Sequence, residues 1–164
     1  MQPSTQPPSS PAAPEIATAL GRIPSGLFVV TWCDGGSDRC MLASWVMQAG
    51  FAPPQVSVAI GESRDLLAAV DRGQPFVVSV LAESQRGLLA RFGKPGPDAF
   101  AGLDVQRTAS GAVALPDAAA WLECRPTARA AHGDHVVVLA EVVAAGGGGG
   151  GEPAVHVRRN GLRY

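Results

Sequence analysis

The chain is short of charge and of long apolar stretches. Charged residues are 16% of its 164 positions, too few for a disordered protein, while 46% hydrophobic residues are enough for a packed core. No apolar run reaches about 18 residues, so no membrane-spanning helix is expected. Formal net charge is −1, which provides no global field to recruit nucleic acid or anionic lipid. Lysine is nearly absent, with Lys94 alone against twelve arginines; this fits a compositional bias and carries no functional reading. Cysteine is scarce and odd in number: Cys33, Cys40 and Cys124. The first residues have neither a basic nor an apolar segment of a secretory signal, so the expected setting is a reducing cytoplasm with free thiols. A disulfide across the turn between Cys33 and Cys40 is the alternative. No second Cys/His pair stands at ligand spacing, so no metal site is expected. The G-x-S-x-G elbow, H-E-x-x-H, the Walker loop and a G-x-G-x-x-G following a strand are all missing.

What is present divides into a tail and a domain. Residues 1–14 (MQPSTQPPSSPAAP) cannot bury surface and read as a disordered tail; residues 15–164 read as the folded domain. Glu15–Gly21 reads as a helix with Ile16, Ala19 and Leu20 on one face. The β-branched and aromatic string 26–33 (GLFVVTWC) predicts a strand, and 34–38 (DGGSD) a hairpin-like loop. Residues 40–48 (CMLASWVMQ) read as one further strand or extended segment, ended by Pro53 and Pro54. Alternation marks a strand over 55–61. A helix follows over 63–71, with Ser63 as N-cap and Leu66, Leu67 and Val70 inward. Further strands are expected over 75–81, 112–115, 119–130, 135–145 and 154–158, and a second helix over 83–92. Glycines 146–151 lack the strand–turn–helix context of a phosphate cradle and read as a surface connector. Short strands with short connections suggest a mainly β fold, an antiparallel barrel with helices on its surface.

Several strings occur together: ALGRIPSGLFVV at 19–30, LASWVMQAGFAPP at 42–54, Ser63-Arg64-Asp65, FVVSVL at 76–81 and Gly133-Asp134-His135. In order and spacing the set resembles the flavin reductase-like family of FMN-binding split β-barrels, and within it the C-terminal flavin reductase-like module of diiron diflavin flavoproteins. The sequence departs from that pattern at Ser79, where many relatives carry Asn, and at Trp45 and Gln48, where many carry small hydroxylated residues.

The resemblance implies a flavin reductase that moves hydride from NADH or NADPH to FMN, with FAD also possible. The electrons would pass to free flavin, a partner oxygenase or oxygen. It also implies a homodimer. A flavin mononucleotide needs a backbone edge for its ring, donors for its phosphate and an open face for hydride. The stretch Ala43, Ser44, Trp45, Val46, Gln48, Ala49 and Gly50 is where backbone N–H groups meet the ring edge, and Ser44 adds a hydroxyl. Trp45 packs beside the ring or in the core. Ser63, Arg64 and Asp65 are the phosphate candidates, since an arginine forks onto phosphate oxygens. Arg91 and Lys94 are candidates for a second cation. His135 is the candidate catalytic residue, in a positioning or electrostatic role, because hydride passes directly between carbon and nitrogen. His132 reads as solvated, His156 as facing opposite to Val155 and Val157, and the end Arg158, Arg159 and Tyr164 as lying near the flavin or a subunit boundary. Two alternatives stand beside this reading: a flavin-bound electron carrier that never meets a pyridine nucleotide, and a split barrel without cofactor.

Overall fold

The structure is a computed structural model and describes residues 14–149 and 151–162. Of the tail expected over 1–14, residues 1–13 lie outside the described residues and Pro14 opens a helix; the closing Tyr164 and Gly150 of the glycine connector also lie outside them. In chain order the elements are α1 (Pro14–Gly21), β1 (Phe28–Asp34), β2 (Ser37–Ala43), β3 (Val46–Phe51), β4 (Pro54–Gly61), α2 (Leu66–Asp71), β5 (Phe76–Val80), α3 (Leu88–Gly93), β6 (Ala120–His132) and β7 (His135–Gly146). They fall into two compact units, residues 25–155 and residues 14–24 with 156–162.

The larger unit is a seven-stranded antiparallel sheet in the order β2-β1-β5-β6-β7-β4-β3. Its two edge strands, β2 and β3, are neighbours in sequence, joined only by Ser44 and Trp45. Three virtual bonds span at most about 11 Å. A flat sheet of this width cannot bring its edges that close, so the sheet is rolled into a barrel with its seam at this connection. Register shifts between Gln48 and Gly50 in β3, and in β7 between Leu139 and Ala140 and between Val142 and Ala144, bend the strands as rolling requires. The β1–β2 hairpin turns on Gly35 and Gly36, at φ +56° and +82°, the pair of positive angles a two-residue turn of this hand demands.

Alternation decides what fills the barrel. Val30 and Trp32 of β1, Val58 and Ile60 of β4, Phe76 and Val78 of β5 and Val136 and Val138 of β7 point inward, and α2 closes the interior with Leu66, Leu67 and Val70. Each such fully buried side chain stabilises the fold by about 1.5–3 kcal/mol. The opposite face of β1 carries Val29 and packs with Leu81, Leu115 and the α3 residue Phe92.

Four expectations are corrected. The apolar run over 40–48 is two strands, broken at Ser44 and Trp45. The helix expected from Ser63 begins at Leu66, and its N-cap position is Asp65, in helical geometry and without a side-chain cap. The helix expected over 83–92 is a single 3-10 turn, Glu83–Gln85, followed by the short α3. Strands expected over 112–115 and 154–158 shrink to Val113–Ala114 and Val155–His156.

In the smaller unit the face expected for α1 is also corrected. Ile16 and Leu20 are exposed, whereas Ala17 and Gly21 are buried. The backbone of 158–161 lies against that small-residue face: Arg158 N–H donates to Gly21 O at 3.1 Å and Gly161 N–H to Ala17 O at 2.7 Å. A larger side chain would hold the two backbones apart.

Candidate functional site

His135 opens β7 and stands opposite Gly61, the last residue of β4. Its Nδ1 lies 2.9 Å from Asp134 Oδ1. The nitrogen facing a carboxylate carries the proton, so in the neutral ring Nε2 is the acceptor. The same contact holds the Asp134 carboxyl below its usual range. Trp45, on the seam, lies with its ring centroid 4.9 Å from that of His135. Its carbonyl accepts the Ala59 N–H at 3.0 Å, which fixes the indole beside β4.

Gly61 is the floor of this group. A Cβ there would stand 3.9 Å from His135 Nε2 and 3.9 Å from Arg64 Cγ, so its missing side chain leaves the two on either side of open backbone. Arg64 follows on the turn into α2, its N–H donating to Gly61 O at 3.0 Å. Eight arginines lie between residues 25 and 155. Seven are committed. Arg39, Arg72, Arg86, Arg107, Arg125 and Arg129 form ion pairs with Asp65, Asp34, Glu83, Asp38, Glu141 and Asp71, and Arg91 donates to the Ala101 carbonyl at 2.9 Å. Among the described residues Arg64 forms no ion pair or side-chain hydrogen bond.

Beyond Arg64 the molecule is hollow. Ser63, Arg64 and Asp65 form one wall of a cavity of about 510 Å³. Trp32 and Met41 line it from the barrel, Asp38, Arg39 and Cys40 from β2, and Pro95, Gly96, Pro97 and Phe100 from the loop after α3. Burial pushes the Cys40 thiol up to about 11, so it is a neutral wall and no nucleophile. Trp32 is 3% exposed, and its indole N–H is buried without a hydrogen-bond partner among the described residues.

Of the residues singled out by sequence, Trp45, His135 and Arg64 are brought together around Gly61, and Ser63 and Asp65 join Arg64 at the cavity. Ala43 and Ser44 are buried at the seam, and Val46 is half-buried against the core. Gln48 and Ala49 are exposed and Gly50 half-buried along β3, an edge strand with one side of its backbone unpaired by the sheet. Arg91 and Lys94 do not line the cavity. Trp32, Arg39 and the 95–100 loop went unnoticed in the sequence. Trp32 sits inside the strand string 26–33 and Arg39 just past the loop 34–38, and neither position nor the string KPGPD at 94–98 carries a signal for a cavity wall.

The cation, the open floor and the paired rings sit at one end of an antiparallel split barrel. Residues 20–161 match the family model described as flavin reductase like domain, and the chain belongs to that family. It is 36% identical over 156 residues to Diflavin flavoprotein A 1 of Synechocystis, a match covering 92% of this chain and 27% of that protein. The chain thus spans about a quarter of the length of such relatives and matches their flavin reductase-like module. It is also 36% identical to the actinorhodin polyketide dimerase of Streptomyces coelicolor, over 88% of this chain and 82% of that one. Among solved structures, the NADH:FAD oxidoreductase of Streptomyces globisporus superposes with a TM-score of 0.79 at 28% identity, covering 92% of this chain and 95% of that one. The styrene monooxygenase flavin reductase of Pseudomonas putida superposes at 0.76 and 26%, covering 87% and 92%. Among the described residues, no helix is long and apolar enough to cross a membrane.

Proposed function

We propose that residues 15–164 form an FMN-binding flavin reductase that takes hydride from NADH or NADPH and passes the electrons to free flavin, a partner oxygenase or oxygen, acting in the cytoplasm as a homodimer. The observation that carries the reading is Arg64: a cation with no side-chain partner among the described residues, set beside an open glycine floor and a histidine–tryptophan pair. These residues fit a flavin phosphate and ring. Bound there, the flavin supplies the two-electron acceptor chemistry. Arg64 and the Ser63 hydroxyl hold the phosphate. The unpaired edge of β3 offers N–H groups to the polar rim of the ring. His135, aimed by Asp134, orients the nicotinamide over the open face, and Trp45 excludes water from one side. The names of the Streptomyces globisporus and Pseudomonas putida neighbours, an NADH:FAD oxidoreductase and a flavin reductase, support the same chemistry.

The dimer reading rests on β3. It is a sheet edge, and it exposes Met47 to 70% and Phe51 to 88%. Two copies related by a two-fold axis would cover these side chains with each other's identical surface.

A second reading, a flavin-bound electron carrier without pyridine nucleotide, is favoured by the diflavin flavoproteins, in which the matching module is one part of a longer chain. Mixing the flavin-loaded protein with NADH and with NADPH in the absence of air separates the two. Bleaching of the flavin band with either donor is expected; no bleaching with both would leave the carrier. Failure to bind any added flavin would leave the split barrel without cofactor.

A further inference from the structure

We infer that Arg39 determines the preference of the Arg64 site for a phosphorylated flavin over riboflavin: it cancels the Asp65 carboxylate, which would otherwise repel the phosphate. The inference rests on the proposed phosphate contact at Arg64. That arginine stands between a hydroxyl donor, Ser63, and a full negative charge, Asp65, and all three line the same cavity. A phosphate monoester carries about −1.5 to −2 charge at pH 7. Arg64 and Asp65 together present it with no net charge. Arg39, on the wall formed by β2, makes the sum of the three +1.

The geometry of Asp65 shows where its charge is directed. It occupies the N-cap position of α2, where an aspartate ordinarily accepts a backbone N–H of the first turn, yet its side chain makes no such cap. Its carboxylate instead accepts an N–H of the Arg39 guanidinium, across the mouth of the barrel from β2. Asp38, the other carboxylate lining the cavity, is held by both arms of Arg107 and leaves Arg39 to Asp65. The Arg39 and Asp65 side chains are 46% and 65% exposed, so their pairing adds little to stability. A strap between α2 and the β1–β2 hairpin also exists without it: Arg72, just past the far end of α2, donates to Asp34 Oδ1 at 2.9 Å. The two ion pairs join the same elements, but Arg72 and Asp34 do not line the cavity. What distinguishes Arg39 is therefore its charge beside the phosphate site.

The test titrates FMN and riboflavin into the wild type, Arg39→Gln, the double variant Arg39→Gln with Asp65→Asn, and Arg72→Gln, and records each melting temperature. In low salt Arg39→Gln should weaken FMN roughly three- to tenfold, the order expected for a carboxylate within about a Debye length of a doubly charged phosphate at a protein surface. Riboflavin should bind it as it binds the wild type. At about 1 M salt, where the Debye length falls to about 3 Å, the FMN difference should vanish. The double variant should recover wild-type FMN affinity, because the repelling charge is gone although the ion pair is not restored. Arg72→Gln should bind FMN as the wild type does. Full FMN affinity in Arg39→Gln would overturn the role of Arg39 and leave the flavin reductase reading intact. So would a loss shared by riboflavin, reproduced by Arg72→Gln, or not recovered in the double variant, each of which makes the ion pair a strap. A wild type that binds neither flavin, or binds riboflavin as tightly as FMN, would overturn the phosphate contact and the role of Arg39 together.

Discussion

Arg64 is fixed by its backbone and, among the described residues, left without a side-chain partner, unlike every other arginine between residues 25 and 155. Such a residue contributes little to stability, and truncation at the surface usually costs less than about 0.5 kcal/mol. A charged hydrogen bond to phosphate is worth roughly 1.5–3 kcal/mol. Arg64→Ala should therefore raise the FMN dissociation constant by roughly ten- to a hundredfold with little change in melting temperature. Riboflavin, which lacks the phosphate, should bind both proteins alike. His135→Asn should keep FMN bound and slow its reduction by the nicotinamide in stopped-flow traces; an unchanged rate would make His135 structural. The Asp134 carboxyl gives a second handle. The His135 hydrogen bond lowers its pKa, so the contact is in place above the ordinary Asp value near 4 and is lost as pH falls through the lowered one. Carboxyl NMR should find the Asp134 midpoint below about 4 in the wild type and back in the ordinary range in His135→Asn.

At the scale of elements, strands with clear alternation were legible in the sequence. Residues 55–61 place Val56, Val58 and Ile60 inward as their pattern requires, and the long strand β7 follows from its valine run after Gly133. The seam was not legible. CMLASWVMQ has no glycine, proline or charge to mark a corner, and the break at Ser44 and Trp45 is imposed by closure of the sheet, a property of strands far away in sequence. The start of α2 misled for a related reason: Ser63 has the chemistry of a cap, but the turn from β4 is set by Gly61 and by Glu62 N–H donating to Asp134 O at 3.1 Å. The site was half legible. Local strings pointed to Arg64, Trp45 and His135, whereas Trp32 and the 95–100 loop belong to it only through folding. The face of α1 reversed because close backbone approach outweighs side-chain hydrophobicity there. A Cβ on Gly161 would stand 2.4 Å from Leu20 Cβ and 2.6 Å from Gly21 N. Gly161→Ala should cost about 1–3 kcal/mol locally, read as faster hydrogen exchange over 14–21 with the barrel strands unchanged.

For the whole molecule, the exposed side chains of β3 make association the sharpest expectation. Met47→Glu with Phe51→Glu should shift the sedimentation of the purified protein from dimer to monomer, since a charge buried against its own symmetry mate is repelled. Sedimentation of the wild type as a monomer would remove the dimer altogether.

The two-residue link between β2 and β3 also sets the order in which the chain can find its shape. Three pairings are local, β1 with β2, β3 with β4 and β6 with β7, and each hairpin can form on a microsecond scale by itself. The remaining ladders join residues far apart: Phe28 with Val80, and Val136 with Ile60. Ser44 and Trp45 tether the first two hairpins back to back, so neither can reach its final neighbours until β5, β6 and β7 arrive to bridge them. Refolding should accordingly run in the millisecond-to-second range of non-local β topologies. A circular permutant opened between Ser44 and Trp45 would release the two hairpins from each other and should change the refolding rate more than it changes the unfolding rate.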